Sequence, residues 1–221
     1  MLVWDLPLRL FHWGLVVAVA GAIAASKADV MWLHERFGLT VMGLVGFRII
    51  WGFIGGHYAR FRQFLTPPRV AIGAFLRLLK PDTTPSVGHS AAAGYAVIGL
   101  LAITGFLATT GTLSNDDVLF EGPLAHVLPT WSDAATRLHD AAEPFLFAMI
   151  ILHLAAILLY KFVKKSNLTM TMLNGHADDA ATVRDAEHGA ISPARNVFGV
   201  LLLIGFVLAA NSLSLLRPAF Y

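Results

Sequence analysis

Residues 138–163 read LHDAAEPFLFAMIILHLAAILLYKFV. About 20 consecutive apolar residues cross the hydrocarbon of a bilayer as a helix, so Leu138 to Val163 is predicted to span a membrane. Two histidines interrupt the run, His139 near its start and His153 fourteen residues later. At about 1.5 Å of rise and about 100° of rotation per residue, that separation gives about 21 Å and about 1400°, within roughly 40° of whole turns. The two histidines therefore share one helix face and lie near opposite membrane surfaces. This segment alone points to a membrane protein with ligand-type side chains in its interior.

Working outward, the same rule picks out Leu8 to Ala25, Leu33 to Ile54 and Ala91 to Gly111, each long enough to span. A fifth run, Val197 to Leu213, is apolar enough to span and follows a polar stretch. The composition agrees: 57% of the 221 residues are hydrophobic and 14% charged, with a mean hydropathy of +0.67. Soluble domains run near 45–50% apolar and about 25% charged. The expected fold is an all-α integral membrane bundle, four helices plus a fifth C-terminal transmembrane helix. Arg9, the apolar run and the small residues Ala22 to Ser26 also have the outline of a cleavable secretion signal. The early His12-Trp13 pair and the bundle's need for this helix favour its retention.

Loop charges orient such a chain, because Lys and Arg collect on the cytoplasmic side. Arg60, Arg62, Arg69, Arg77 and Lys80 lie between the second and third spans, opposed only by Asp82, and Lys161, Lys164 and Lys165 follow the fourth. The loop between the third and fourth spans carries Asp116, Asp117, Glu121 and Asp133, with no Lys or Arg before Arg137. The N-terminus is therefore expected in the cytoplasm and the acidic loop outside. Within the basic loop, Arg69 to Lys80 reads as an amphipathic helix lying on the cytoplasmic surface, and Gly175 to Glu187 as a solvated linker. A net charge of +2 without a long basic tract gives no reason to expect nucleic acid.

The chain has no cysteine. That excludes disulfides, thiolate-held clusters and the C-x-x-C-H attachment of c-type haem. Nine histidines are available instead. His12 lies near the cytoplasmic end of the first span and is level with His153, while His34 lies near the outer end of the second and is level with His139. An ionisable residue inside a span is a functional hypothesis by default, and paired neutral imidazoles suit two haem irons held in a bundle core. One histidine alone is more often a hydrogen-bonded helix end; four matched in depth favour ligands. Arg48, fourteen residues after His34 on the same face, is placed either to pair with haem propionates or to snorkel to the cytoplasmic surface. Arg9 and Arg137, beside His12 and His139, are placed for the same propionate pairing. Gly38, one turn after His34, and the glycines of the second and third spans let a flat macrocycle approach the backbone.

These residues carry a resemblance. Trp4-Asp5-Leu6-Pro7-Leu8-Arg9-Leu10-Phe11-His12-Trp13, Leu33-His34-Glu35 with Gly38, Phe47-Arg48, His57-Ala59-Arg60-Phe61, Gly88-His89-Ser90, Leu138-His139, Leu152-His153 and Asn167-Leu168 through Asn174-Gly175 together resemble the prokaryotic cytochrome b561 family. The likeness is nearest to the branch of hydrogenase-type cytochrome b subunits and covers residues 3–175. It implies a diheme four-helix domain over 1–175, with a linker and C-terminal helix over 176–221. The implied ligand pairs are His12 with His153 and His34 with His139, each holding one haem b. The implied function is electron transfer across a bacterial inner membrane. It would link an outer-face redox partner, a c-type cytochrome or periplasmic oxidoreductase, to the quinone pool. His57 and His89, at the cytoplasmic ends of the second and third spans, read first as polar residues at the interface and second as the border of a quinone site. Two other readings stand beside electron transfer: a stand-alone oxidoreductase acting between superoxide or ferric iron and quinone, and a divalent-metal transporter. Transporters concentrate polar groups near the midplane, unlike the two depths here.

Overall fold

A computed structural model describes residues 2–77, 91–116, 118, 120–176 and 191–217. Helices account for nearly all of the regular structure among them. They are α1 (Leu6–Lys27), α2 (Met31–Ile54), α3 (Phe61–Phe64), α4 (Pro68–Arg77), α5 (Ala91–Leu113), α6 (Ser132–Phe162), α7 (Leu168–Asn174) and α8 (Pro193–Asn211). Among the described residues, five helices are long and apolar enough to cross a membrane: α1, α2, α5, α6 and α8. They carry large apolar side chains exposed to the surroundings, among them Val17, Phe53, Ile151 and Leu208, which suits lipid and not water. The fold is an all-α membrane bundle, as the hydropathy predicts.

One helix begins well before its expected start. The helix expected from Leu138 begins at Ser132, so His139 sits two turns inside α6 instead of opening it. The polar first turns are sustained by local bonds: Thr136 Oγ1 donates to the Ser132 carbonyl at 3.0 Å and accepts from Asn115 N–H at 3.1 Å. Asp133 in the first turn suits the positive end of the helix dipole. Further along, α6 continues through Pro144, a residue that removes one main-chain donor but is tolerated in membrane helices. The helix expected over Arg69 to Lys80 is described over Pro68–Arg77 as α4, with Arg69, Val70, Ile72 and Leu76 exposed. Lys80, His89, Asp117, His188 and most of the expected linker lie outside the described residues.

The chain forms two compact units, and every long helix contributes to both. The first comprises Met1–Leu10, Arg48–Leu100 and Ala148–Val200. Its centre is Asp5, which caps α1 by accepting from Leu8 N–H at 2.9 Å. The same carboxylate accepts from the Trp51 indole at 3.1 Å and from Gly56 N–H at 3.1 Å, fixing the start of α1 to the end of α2. Burial pushes the Asp5 carboxyl up from its ordinary range, opposed by these hydrogen bonds and by the charge of Arg48. Gly199 of α8 packs here: a Cβ on it would stand 2.5 Å from Pro7 and 2.6 Å from Trp51.

Also in the first unit, the Gly175 carbonyl accepts from Val3 N–H at 2.8 Å and Trp4 N–H at 3.2 Å. Gly175 closes α7 in the left-handed conformation, φ 84°, with its N–H bonded to Thr171 O. Arg9 donates to the carbonyl of Leu173, and Arg195 of α8 donates to those of Ile54 and Gly55 at the end of α2.

The second unit comprises Phe11–Phe47, Leu101–Phe147 and Leu201–Tyr221. Here α8 lies directly on α2, since a Cβ on Gly43 would come within 2.7 Å of the Phe206 carbonyl oxygen and Val207 Cα. Asn211 Nδ2 adds a hydrogen bond to Thr40 Oγ1 at 3.1 Å. The turn from α1 to α2 places Asp29 in the left-handed region, with Val30 N–H reaching back to Ala25 O at 2.9 Å, a helix stop that glycine more often provides.

Gly175→Ala is expected to lower the thermal midpoint of the detergent-solubilised protein. A non-glycine residue at this φ costs roughly 1–2 kcal/mol, and its Cβ would also stand 2.8 Å from the Trp4 carbonyl. An unchanged midpoint in a thermal shift assay refutes this role for the α7 stop.

Candidate cofactor site

Within the second unit, α1, α2, α5 and α6 surround a cavity of about 340 Å³, inside the roughly 300–1,000 Å³ range of small-molecule sites. His34 enters from α2 and His139 from α6, their ring centroids 6.1 Å apart with planes inclined at 78°. His34 Nδ1–H donates to the Ala22 carbonyl of α1 at 2.9 Å. His139 Nδ1 lies 3.0 Å from the Leu107 carbonyl of α5 and 3.2 Å from Thr110 Oγ1. A ring nitrogen that donates to a carbonyl fixes the tautomer, so Nε2 of each ring is the nitrogen with a lone pair for a metal.

The spacing is itself informative. With their ring centroids 6.1 Å apart, His34 and His139 are the residues that would hold one haem iron here through Nε2. The walls fit a flat, mainly apolar group with Val19, Ile23, Leu39 and Leu146 among them. Gly38 lines the cavity, and a Cβ built on it would meet nothing within 4 Å; its missing side chain leaves room. Gly111 lies so close that a Cβ would stand 3.2 Å from His139 Cε1.

The other sequence-predicted residues lie as follows. Arg48 belongs to the first unit and is 1% exposed, its guanidinium 4.7 Å from the Phe61 ring centroid. Neither terminal guanidinium nitrogen has a hydrogen-bond partner among the described residues. The charge of Asp5 acts on Arg48 without a hydrogen bond, so the two terminal nitrogens remain as donors that fit a carboxylate-bearing group. Arg9 is engaged with Leu173, while its Nε is buried without a hydrogen bond. Arg137 is exposed and outside the cavity wall. His12, part-buried beside Trp13, belongs to the second unit, and His153, also part-buried, to the first. His57 packs edge-on against Tyr58, and His176 bonds to the Asn174 carbonyl.

Two features escaped the sequence reading. Asp5 was legible as a helix cap, a carboxylate one residue before an apolar helical run opened by Leu6-Pro7, but its bond to Trp51 was not. Glu35 is buried, lines the cavity and is ion-paired to Arg217, a partner that no local pattern announces.

His34 and His139 thus line one cavity, each with Nδ1 held by a main-chain carbonyl. The family model described as prokaryotic cytochrome b561 matches residues 3–175, and the chain belongs to that family. It is thus a multi-pass bacterial membrane protein of the b-type cytochromes, which bind haem b and serve in electron transfer. No curated protein and no solved structure matches the chain.

Gly38→Leu tests the cavity directly. Leucine meets no neighbour at the Cβ position and favours the helix by up to about 1 kcal/mol over glycine, so the bundle is expected to persist while haem is lost. Pyridine haemochrome quantitation that finds undiminished haem would remove this cavity as its seat.

Proposed function

We propose that the chain carries two haems b, one between His34 and His139 and one between His12 and His153, and passes electrons across the bacterial inner membrane. The observation that carries this reading is the 6.1 Å separation of the His34 and His139 rings, each with Nδ1 held by a main-chain carbonyl. Bound haem supplies a one-electron ferric/ferrous couple. Held by two histidines, such a group would be suited to electron transfer rather than to binding a substrate at iron.

The second pair rests on register. His153 follows His139 by fourteen residues along the continuous α6, and His12 lies six residues into α1. Arg48, with its two bare guanidinium nitrogens, is the residue proposed to hold the propionates of that haem. Residues 1–175 form the diheme domain in this reading, and 176–221 add the linker and α8. The loop charges favour a cytoplasmic N-terminus. Electrons are exchanged with a redox protein at the acidic outer face, where opposite charge steers encounter, and with quinone near the cytoplasmic haem.

Detergent-purified protein is expected to show two haems b per chain in a reduced-minus-oxidised spectrum. His139→Ala and His153→Ala should each remove one haem, and a different one. No haem, or a single haem indifferent to both substitutions, overturns the pairing. Arg48→Leu is expected to weaken retention of one haem or shift its midpoint potential; unchanged content and potentials would remove the propionate role.

A further inference from the structure

We propose that Arg217, beyond the end of α8, is a positioning residue that neutralises Glu35 on the cavity wall and thereby raises the reduction potential of the His34–His139 centre. This inference rests on the haem reading of that cavity. Glu35 follows His34 directly on α2, is 7% exposed and lines the cavity with both histidines. A carboxylate so placed is costly without a partner. Arg217 Nη2 donates to Glu35 Oε2 and also to the main-chain carbonyl of Glu121. The arginine is partly exposed and the glutamate is not, so the cation reaches in from the edge of the second unit.

Its approach is fixed by the C-terminal helix. Asn211, the last residue of α8, is tied to α2 through Thr40 Oγ1 at 3.1 Å and through Arg36 Nη1 to its carbonyl at 3.3 Å. The 3-10 turn Ser212–Leu216 then delivers Arg217. Asn211, the 3-10 turn and Arg217 lie outside residues 3–175, the part of the chain matched by the family, whereas their partners on α2 lie within it. The segment beyond the family core therefore supplies a counter-charge to a carboxylate within it. Another wall carboxylate, Glu143, pairs with Lys27 at 3.2 Å, but that pair is exposed and correspondingly screened.

The direction follows from charge. Oxidation adds one positive charge at the iron, which an unpaired Glu35 stabilises and an Arg217–Glu35 pair does not. Redox titration of the haem-loaded protein tests this with R217Q, R217K and the E35Q/R217Q double substitution. R217Q is expected to lower the potential of one haem only, cutting its reduced-to-oxidised ratio at fixed potential about tenfold, or about 59 mV for one electron. R217K and the double substitution should stay near the wild-type value. Loss of that haem from R217Q alone overturns the effect on potential, because Arg217 then holds the site together instead of tuning it. An unshifted R217Q, a double substitution that keeps the shift, or haem loss in all three variants likewise overturns the proposal. Wild-type protein without this haem overturns the underlying haem reading as well, which separates the two failures.

Discussion

The hydrogen bonds from two imidazole rings to main-chain carbonyls organise the second unit. In hydrocarbon a polar N–H must find an acceptor within the protein. His34 of α2 finds Ala22 of α1, and His139 of α6 finds Leu107 of α5. Each of the four core helices thus contributes one element to a single line of contacts. The same bonds that join the helices pairwise select the tautomer of both rings and hold them 6.1 Å apart. The small residues beside the rings follow from this constraint: Gly111 makes way for the His139 ring, and Gly38 leaves space along the wall. A larger residue at Gly111 would have to displace a ring whose orientation is already fixed at Nδ1.

The first unit is held by a different device. Asp5 gathers Leu8 N–H, the Trp51 indole and Gly56 N–H on one buried carboxylate. Three donors offset much of the desolvation cost of that charge, and Arg48 adds attraction without a hydrogen bond. The opening motif of the chain is therefore architectural. Trp4 and Val3 bond to Gly175, so the first and last residues of the matched region meet. That contact gives a physical reason for the likeness to extend to Asn174-Gly175, well past the final histidine.

What could be read in advance was whatever has a period or a length. Spans follow from runs of apolar residues, and the fourteen-residue interval between His139 and His153 translates into shared face and separate depth without any tertiary knowledge. Boundaries were poorer where polar residues are helical: Ser132 to Arg137 look like loop, yet Thr136 ties them into α6. Arg137 illustrates the same limit, since adjacency to His139 along the chain turned it outward. Pairings of distant side chains were invisible. Arg217 and Glu35 are 182 residues apart, and hydropathy gives no weight to a single arginine after a helix.

The C-terminal helix shows why such pairings matter in a bilayer. Apolar side chains gain little by leaving lipid for one another, so helices associate through close packing and polar contacts. Against α2, α8 uses both. In the second unit, Gly43 brings the backbones together at Phe206 and Asn211 bonds to Thr40. In the first, Gly199 fits over Pro7 and Trp51 while Arg195 satisfies carbonyls that α2 leaves open at its end. Capping those carbonyls matters more near lipid than in water, because solvent is a poorer substitute. In the first unit α8 caps the end of α2, and in the second the turn that follows α8 brings Arg217 to Glu35 beside His34. An anchor appended for membrane attachment alone has no need of either contact.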